Sequence, residues 1–138
     1  MPHIPSWTAR YVGIPYLESG RDRNGLDCWG LVVLIWREQY GFDLPAYDGP
    51  HWAKGADRAA IAAAIEAEQA RYVEVPAGQE REGDGILLRM MGYPLHIGLV
   101  VTPGWMIHTH ETAAVCIENY RGAAWSRRVL GFRRQSRG

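Results

Sequence analysis

Apolar positions along the chain change their period once. The run Cys-Trp-Gly-Leu-Val-Val-Leu-Ile-Trp-Arg-Glu-Gln-Tyr predicts a helix over 28–40. It is apolar almost all round in its first half, so that half should be buried. Asp27 stands where an N-cap belongs and Gly41 where a left-handed C-terminal residue belongs. A second helix is expected at about 57–71, alanine-rich, with Ile61 and Ile65 four apart. Beyond it the period falls to two. Short apolar or alternating runs at 72–75, 86–90, 95–102, 105–110, 114–118 and 129–133 predict strands. Turn signals separate them at Gly83-Asp84-Gly85, Gly92-Tyr93-Pro94 and Pro103-Gly104. Residues 10–27 and 42–55 read as loops, with a helical turn near Thr8 to Val12. Helices followed by a meander of strands make an α+β fold, with an antiparallel sheet of about five or six strands packed on the first helix. The 138 residues fit a single domain over 1–138.

Composition narrows the function. Fifteen basic residues balance 15 acidic ones, for a formal net charge of zero. That argues against a nucleic-acid partner held by bulk electrostatics. The pairs Arg127-Arg128 and Arg133-Arg134 read as a solvated face. The N-terminal residues show neither the basic nor the apolar region of a secretory signal, so synthesis in the cytoplasm without a signal peptide is expected. The longest apolar run, 31–36, is too short to cross a bilayer, so no membrane insertion is expected. Two cysteines do not make a disulfide scaffold, and without a Cys-x-x-Cys motif no metal or other cofactor is implied.

Cys28 falls on the first turn of the predicted helix. Free N–H groups and the positive end of the helix dipole favour a thiolate there, so a lowered pKa is expected. The competing reading is a small core residue. A nucleophilic thiol needs a base, and His96 opens the apolar strand that also carries Gly98, where a missing side chain permits close approach. A third group should orient the imidazole. His108 and His110 both qualify by parity. Side chains alternate along strands, so an odd-length turn at Pro103-Gly104 would bring positions 96 and 108 to one face, and an even-length turn would not. Cys116, between Val115 and Ile117, reads as structural. His3 and His51 read as surface residues and Trp36 as core, and Trp52, Trp105 and Trp125 default to core packing rather than a groove.

Taken together, Gly13-Ile14-Pro15-Tyr16, Gly20, Gly25-Leu26-Asp27-Cys28-Trp29-Gly30-Leu31, Gly83-Asp84, His96-Ile97-Gly98-Leu99-Val100 and Met106-Ile107-His108 resemble the motifs of the NlpC/P60 cysteine peptidases. The resemblance spans about residues 10–135, with departures at Trp29 and Gly85. It implies the papain-like NlpC/P60 fold, a triad of Cys28, His96 and His108, and substrate contacts from Tyr16 and Asp27. Packing and N-capping are the plain alternatives for those last two. The implied activity is hydrolysis of a peptidoglycan stem peptide between D-glutamate and a diamino acid. The stretches Tyr11 to Tyr16, Gly20 to Gly30 and Leu44 to Tyr47 further resemble the single-domain versions in phage tails and gene transfer agents. That implies tail or baseplate partners, incorporation into a phage-like particle, and action in the periplasm. The alternatives are an idle structural module of a tail tip and a related cysteine amidase or acyltransferase.

Overall fold

The computed structural model describes residues 3–45, 67, 68, 70–90 and 96–135. A 3-10 helix at Ser6–Arg10 leads into a small hairpin, β1 (Arg21–Asp22) and β2 (Gly25–Leu26). Helix α1 follows at Cys28–Tyr40. Then come β3 (Val73–Val75), β4 (Gly85–Leu88), β5 (His96–Thr102), β6 (Trp105–His110), β7 (Ala113–Asn119) and β8 (Val129–Arg134). The expected helix at 57–71, most of the loop at 42–55, His51, Trp52, Leu95 and the turn at Gly92-Tyr93-Pro94 fall mostly or wholly outside the described residues.

Helix α1 begins and ends as its sequence dictates. The Asp27 carboxylate accepts from the Gly30 N–H at 2.8 Å. Gly41 closes the helix at φ 73°, with its N–H on the Arg37 carbonyl. The loop expected at 10–27 is more ordered than its composition suggests. It holds the β1–β2 hairpin, and Tyr16 bridges to Leu26. Its glycines let three backbone segments touch. A Cβ on Gly30 would lie 2.0 Å from the Gly20 carbonyl oxygen, and one on Gly20 would lie 2.2 Å from that of Gly25. The start of the helix is thus pressed onto the hairpin.

The main sheet has six strands in the order β3-β8-β4-β5-β6-β7, every neighbouring pair antiparallel. Its two faces bury different sets. Leu99, Val101, Ile107 and Val115 pack with Leu31, Val32, Ile35 and Trp36 of α1. Val100 and Met106 pack on the other side with Ile86, Tyr120, Trp125 and Phe132. Trp36 is core, as expected, and its indole N–H donates to the Gly83 carbonyl. Two buried carboxylates tie the turns down. Asp84 accepts from two Arg134 nitrogens, Nε and Nη2, each at 2.8 Å. Glu80 accepts from Tyr120 and Arg121. Arg134 is therefore an internal partner of a buried acid, which corrects its assignment to a solvated face. Among the described residues no helix is long and apolar enough to cross a membrane.

Register between β5 and β6 decides where the histidines point. The turn Pro103-Gly104 has two residues, Gly104 at φ 96°, and starts from the pair Thr102↔Trp105. Continued without interruption, that pairing would turn positions 96 and 108 to opposite faces. It is interrupted: Val101 is an added residue between Thr102↔Trp105 and Val100↔Met106. The bulge supplies the odd step that the even-length turn lacks, and 96 and 108 end up on the same face.

Candidate active site

Cys28 is the first residue of α1. The residue is half-buried, and its sulfur accepts backbone N–H donors from Ile97 and Trp29. The Ile97 contact sets the thiol against the peptide that joins His96 to Ile97. The expectation of a lowered thiol pKa is overturned. Burial first, and then the adjacent Asp27 carboxylate, push it up to about 12. The two N–H donors and Arg21 pull the other way and lose. A helix start lowers a cysteine pKa only where desolvation and a neighbouring carboxylate do not outweigh it.

His96 is completely buried at the start of β5. Burial first, then His108 and His110, hold its pKa down to about 3, so the ring is neutral near pH 7. Its Nε2 lies 2.8 Å from His108 Nδ1. The contact depends on Gly98, directly across from the His108 segment. A Cβ there would sit 2.9 Å from the Ile107 carbonyl oxygen and 3.0 Å from the His108 Cβ. His110, the rival third residue, instead meets Thr112 through Nδ1 at 2.9 Å.

One residue of this site, Glu118, was not singled out from the sequence, and a second, Trp125, was read there as core packing. Glu118 Oε2 lies 2.5 Å from His108 Nε2, so the imidazole pair continues into a carboxylate. The β6–β7 register pairs Met106 with Glu118 and His108 with Cys116, putting all four on one face. Strand parity could have found Glu118 once that register was known. Trp125 is buried, as its default assignment holds, yet it also walls the imidazoles. It stacks on His96 with centroids 5.9 Å apart and an interplanar angle of 22°, and meets His108 edge-on at 4.9 Å.

The remaining expected residues have defined places. Asp27 is a true N-cap, and its carboxylate is also met by the Ser19 N–H at 3.0 Å and by Arg21 at 2.7 Å. Tyr16 is half-buried beside Leu26, one strand residue before Asp27. The indole N–H of Trp29 donates to the Pro45 carbonyl, which fastens the segment after α1 to the helix start. His3 is exposed, as expected. Cys116 is half-buried opposite His108, with its thiol 3.9 Å from Glu118. The side-chain donor atoms of His108, Cys116 and Glu118 lie within 4.8 Å of one another, and both His108 nitrogens are engaged, Nδ1 by His96 and Nε2 by Glu118.

Cys28 thus stands half-buried at the helix start, with its sulfur on the Ile97 N–H, and His96, the residue before Ile97, begins a chain of buried imidazoles. The NlpC/P60 family model matches residues 13–134, and the chain belongs to that family. It is 25% identical over 128 residues to the Murein DD-endopeptidase MepS/Murein LD-carboxypeptidase of Escherichia coli K12, an alignment covering 91% of this chain and 58% of that protein. The chain thus spans little more than half the length of the curated relatives it matches first. Among solved structures it resembles a lipoprotein-like NLP/P60 protein of Staphylococcus aureus Mu50, with a TM-score of 0.69 and 17% identity, covering 95% of this chain and 39% of that one. It also resembles the NlpC/p60 domain of the peptidoglycan hydrolase SagA, with a TM-score of 0.63 and 19% identity, covering 91% and 90%. At these identities the structural likeness speaks for the fold, one helix on an antiparallel sheet.

Proposed function

We propose that the chain is a cysteine peptidase that hydrolyses peptidoglycan stem peptides, with Cys28 as nucleophile, His96 as base and His108 as the residue that orients His96. The observation that carries the reading is the Cys28 sulfur on the N–H of Ile97, the residue that follows His96, whose Nε2 is bonded to a second imidazole. Family membership supports it, and the E. coli relative is named for murein peptidase activities.

The chemistry starts from a neutral thiol and a neutral imidazole. As the sulfur attacks the scissile carbonyl carbon, its proton passes to His96. The Cys28 backbone N–H, which as the first of the helix has no intrahelical acceptor, is assigned to the resulting oxyanion. The C–N bond then breaks, the leaving amine takes the proton from His96, and a thioester remains on Cys28. Water attacks the thioester and gives a proton to His96. That proton returns to sulfur as the acid leaves. Burial of the His96 ring keeps bulk water from that side of the proton exchange. Tyr16, beside the helix start, is assigned to the wall of the substrate groove. Asp27, committed to Gly30, Ser19 and Arg21, acts through the helix start and presents one face of its carboxylate to a substrate amine.

The bond assigned is the one between D-glutamate and the diamino acid. The E. coli relative is named instead as a DD-endopeptidase and LD-carboxypeptidase, so the products must be read directly. Purified sacculi digested by the wild-type chain should release fragments ending in D-glutamate, identified by mass spectrometry. Cys28→Ala and His96→Ala should release none. Cross-link cleavage without D-glutamate ends would move the specificity to that of the relative. Wild-type turnover matched by Cys28→Ala would overturn the reading. The resemblance of the Tyr11 to Gly30 stretch to tail peptidases supports placement in a phage-like tail. Particles carrying Cys28→Ala should then assemble normally and fail to penetrate the cell wall, whereas failure to assemble would favour a structural tail module.

A further inference from the structure

The geometry points to Glu118 as a positioning residue that fixes the tautomers of both imidazoles and so aims the lone pair of His96 Nδ1 at the thiol. This rests on the proposed pairing of Cys28 with His96 and adds a fourth member behind it.

The argument follows the protons along three contacts. An ionised carboxylate has only acceptor sites. Glu118 Oε2 lies 2.5 Å from His108 Nε2, so that nitrogen must carry the hydrogen. A neutral imidazole has one N–H and one lone pair, so His108 Nδ1 is the acceptor. His96 Nε2 lies 2.8 Å from it and must therefore be the donor. The single proton of neutral His96 is then spent on Nε2, and Nδ1 is left basic. Had the chain ended at His108, nothing would choose between the two directions of proton order. The carboxylate chooses.

Packing holds the relay in line. His96 and His108 are both completely buried, and Trp125 lies flat on the first and edge-on to the second. The Glu118 side chain is 38% exposed, so the relay runs from a carboxylate that solvent reaches to two rings that it does not. It sits two residues from Cys116 on β7, on the face shared by His108. Strand alternation therefore sets its direction, not a loop.

The test reads tautomers and turnover separately. In the uniformly 15N-labelled protein, long-range 1H–15N correlation spectra between pH 6.5 and 9 should show His96 and His108 each protonated at Nε2 and bare at Nδ1. In Glu118→Ala, and to a smaller degree in Glu118→Gln, whose amide can also donate, the opposite tautomer should appear at both rings. Loss of the correct tautomer should lower kcat about tenfold to a hundredfold, the range seen when an orienting partner of a functional histidine is removed, with KM nearly unchanged. Circular dichroism confirms that the variants fold. A wild-type His108 protonated at Nδ1 would overturn the proposal. So would a Glu118→Ala protein that keeps both tautomers and its kcat. The spectra decide this whether or not the wild-type chain cleaves peptidoglycan, and a failed digestion alone counts against the peptidase reading instead.

Discussion

The two halves of the candidate site are built by different means. The Cys28 half is local: its cap, its ion pair and its close-packed glycines all come from residues 16–30. The histidine half is assembled at long range from β5, β6 and β7; strand register aligns it and Trp125 packs against it. A local half tolerates change in small steps. A register-built half fails all at once, because a slip of one residue sends every side chain to the other face.

Deleting Val101 should break the second half most severely. Without the added residue, the Pro103-Gly104 turn would carry His96 and His108 to opposite faces. Loss of the imidazole pair should reduce turnover by about 10²–10⁴-fold, the usual share of a general base. Loss of a fully buried valine should lower stability by about 1.5–3 kcal/mol. A deletion protein that folds and keeps wild-type turnover would show that the bulge does not align the pair.

Gly98→Ala is a gentler probe of the same half. The new Cβ meets a backbone oxygen and the base of His108, so neither neighbour gives way cheaply. Urea unfolding should report a loss of about 1–3 kcal/mol, with turnover falling because His108 is pushed from His96.

Asp27 probes the local half and should cost least. Asp27→Ala removes the cap, for about 1 kcal/mol of stability in denaturant titration. Asp27→Asn keeps a capping oxygen but removes the charge that raises the Cys28 pKa. Alkylation of Cys28 by iodoacetamide should therefore rise at lower pH in Asp27→Asn than in wild type. In the wild-type chain the rate should keep climbing through pH 9. A plateau near neutral pH would mean a preformed thiolate–imidazolium pair.

Acid should reveal the buried imidazoles as well. Burial lowers the pKa of both His96 and His108 in the folded state, so the unfolded chain binds their protons first. Their contribution to stability is present above about pH 6.5, the unfolded value, and is lost as pH falls toward 3. The Tm should drop across that window, and less steeply in His96→Asn.

The same contrast explains what the sequence revealed. Asp27, Gly41 and the apolar run between them announce α1, because a helix is written in neighbouring residues. The strand positions were readable from alternation, and most strand bounds agree within a residue or two. The alignment of His96 with His108 was not readable, since it needs a bulge at Val101 that leaves no composition signal. Glu118 was missed for the same reason: its role exists only across the β6–β7 register. The thiol pKa was misjudged because the dipole of a helix start is visible in a sequence, whereas desolvation of one sulfur atom is not. The β1–β2 hairpin was hidden among loop-forming residues whose glycines serve close packing.

The most direct test of the central claim is the mass of the protein quenched in acid during turnover of a purified muropeptide. The account predicts a thioester adduct, equal to the acyl fragment, on the peptide that contains Cys28, and no adduct in His96→Ala. Steady turnover with the adduct on Cys116, or with no adduct at any time, would contradict it.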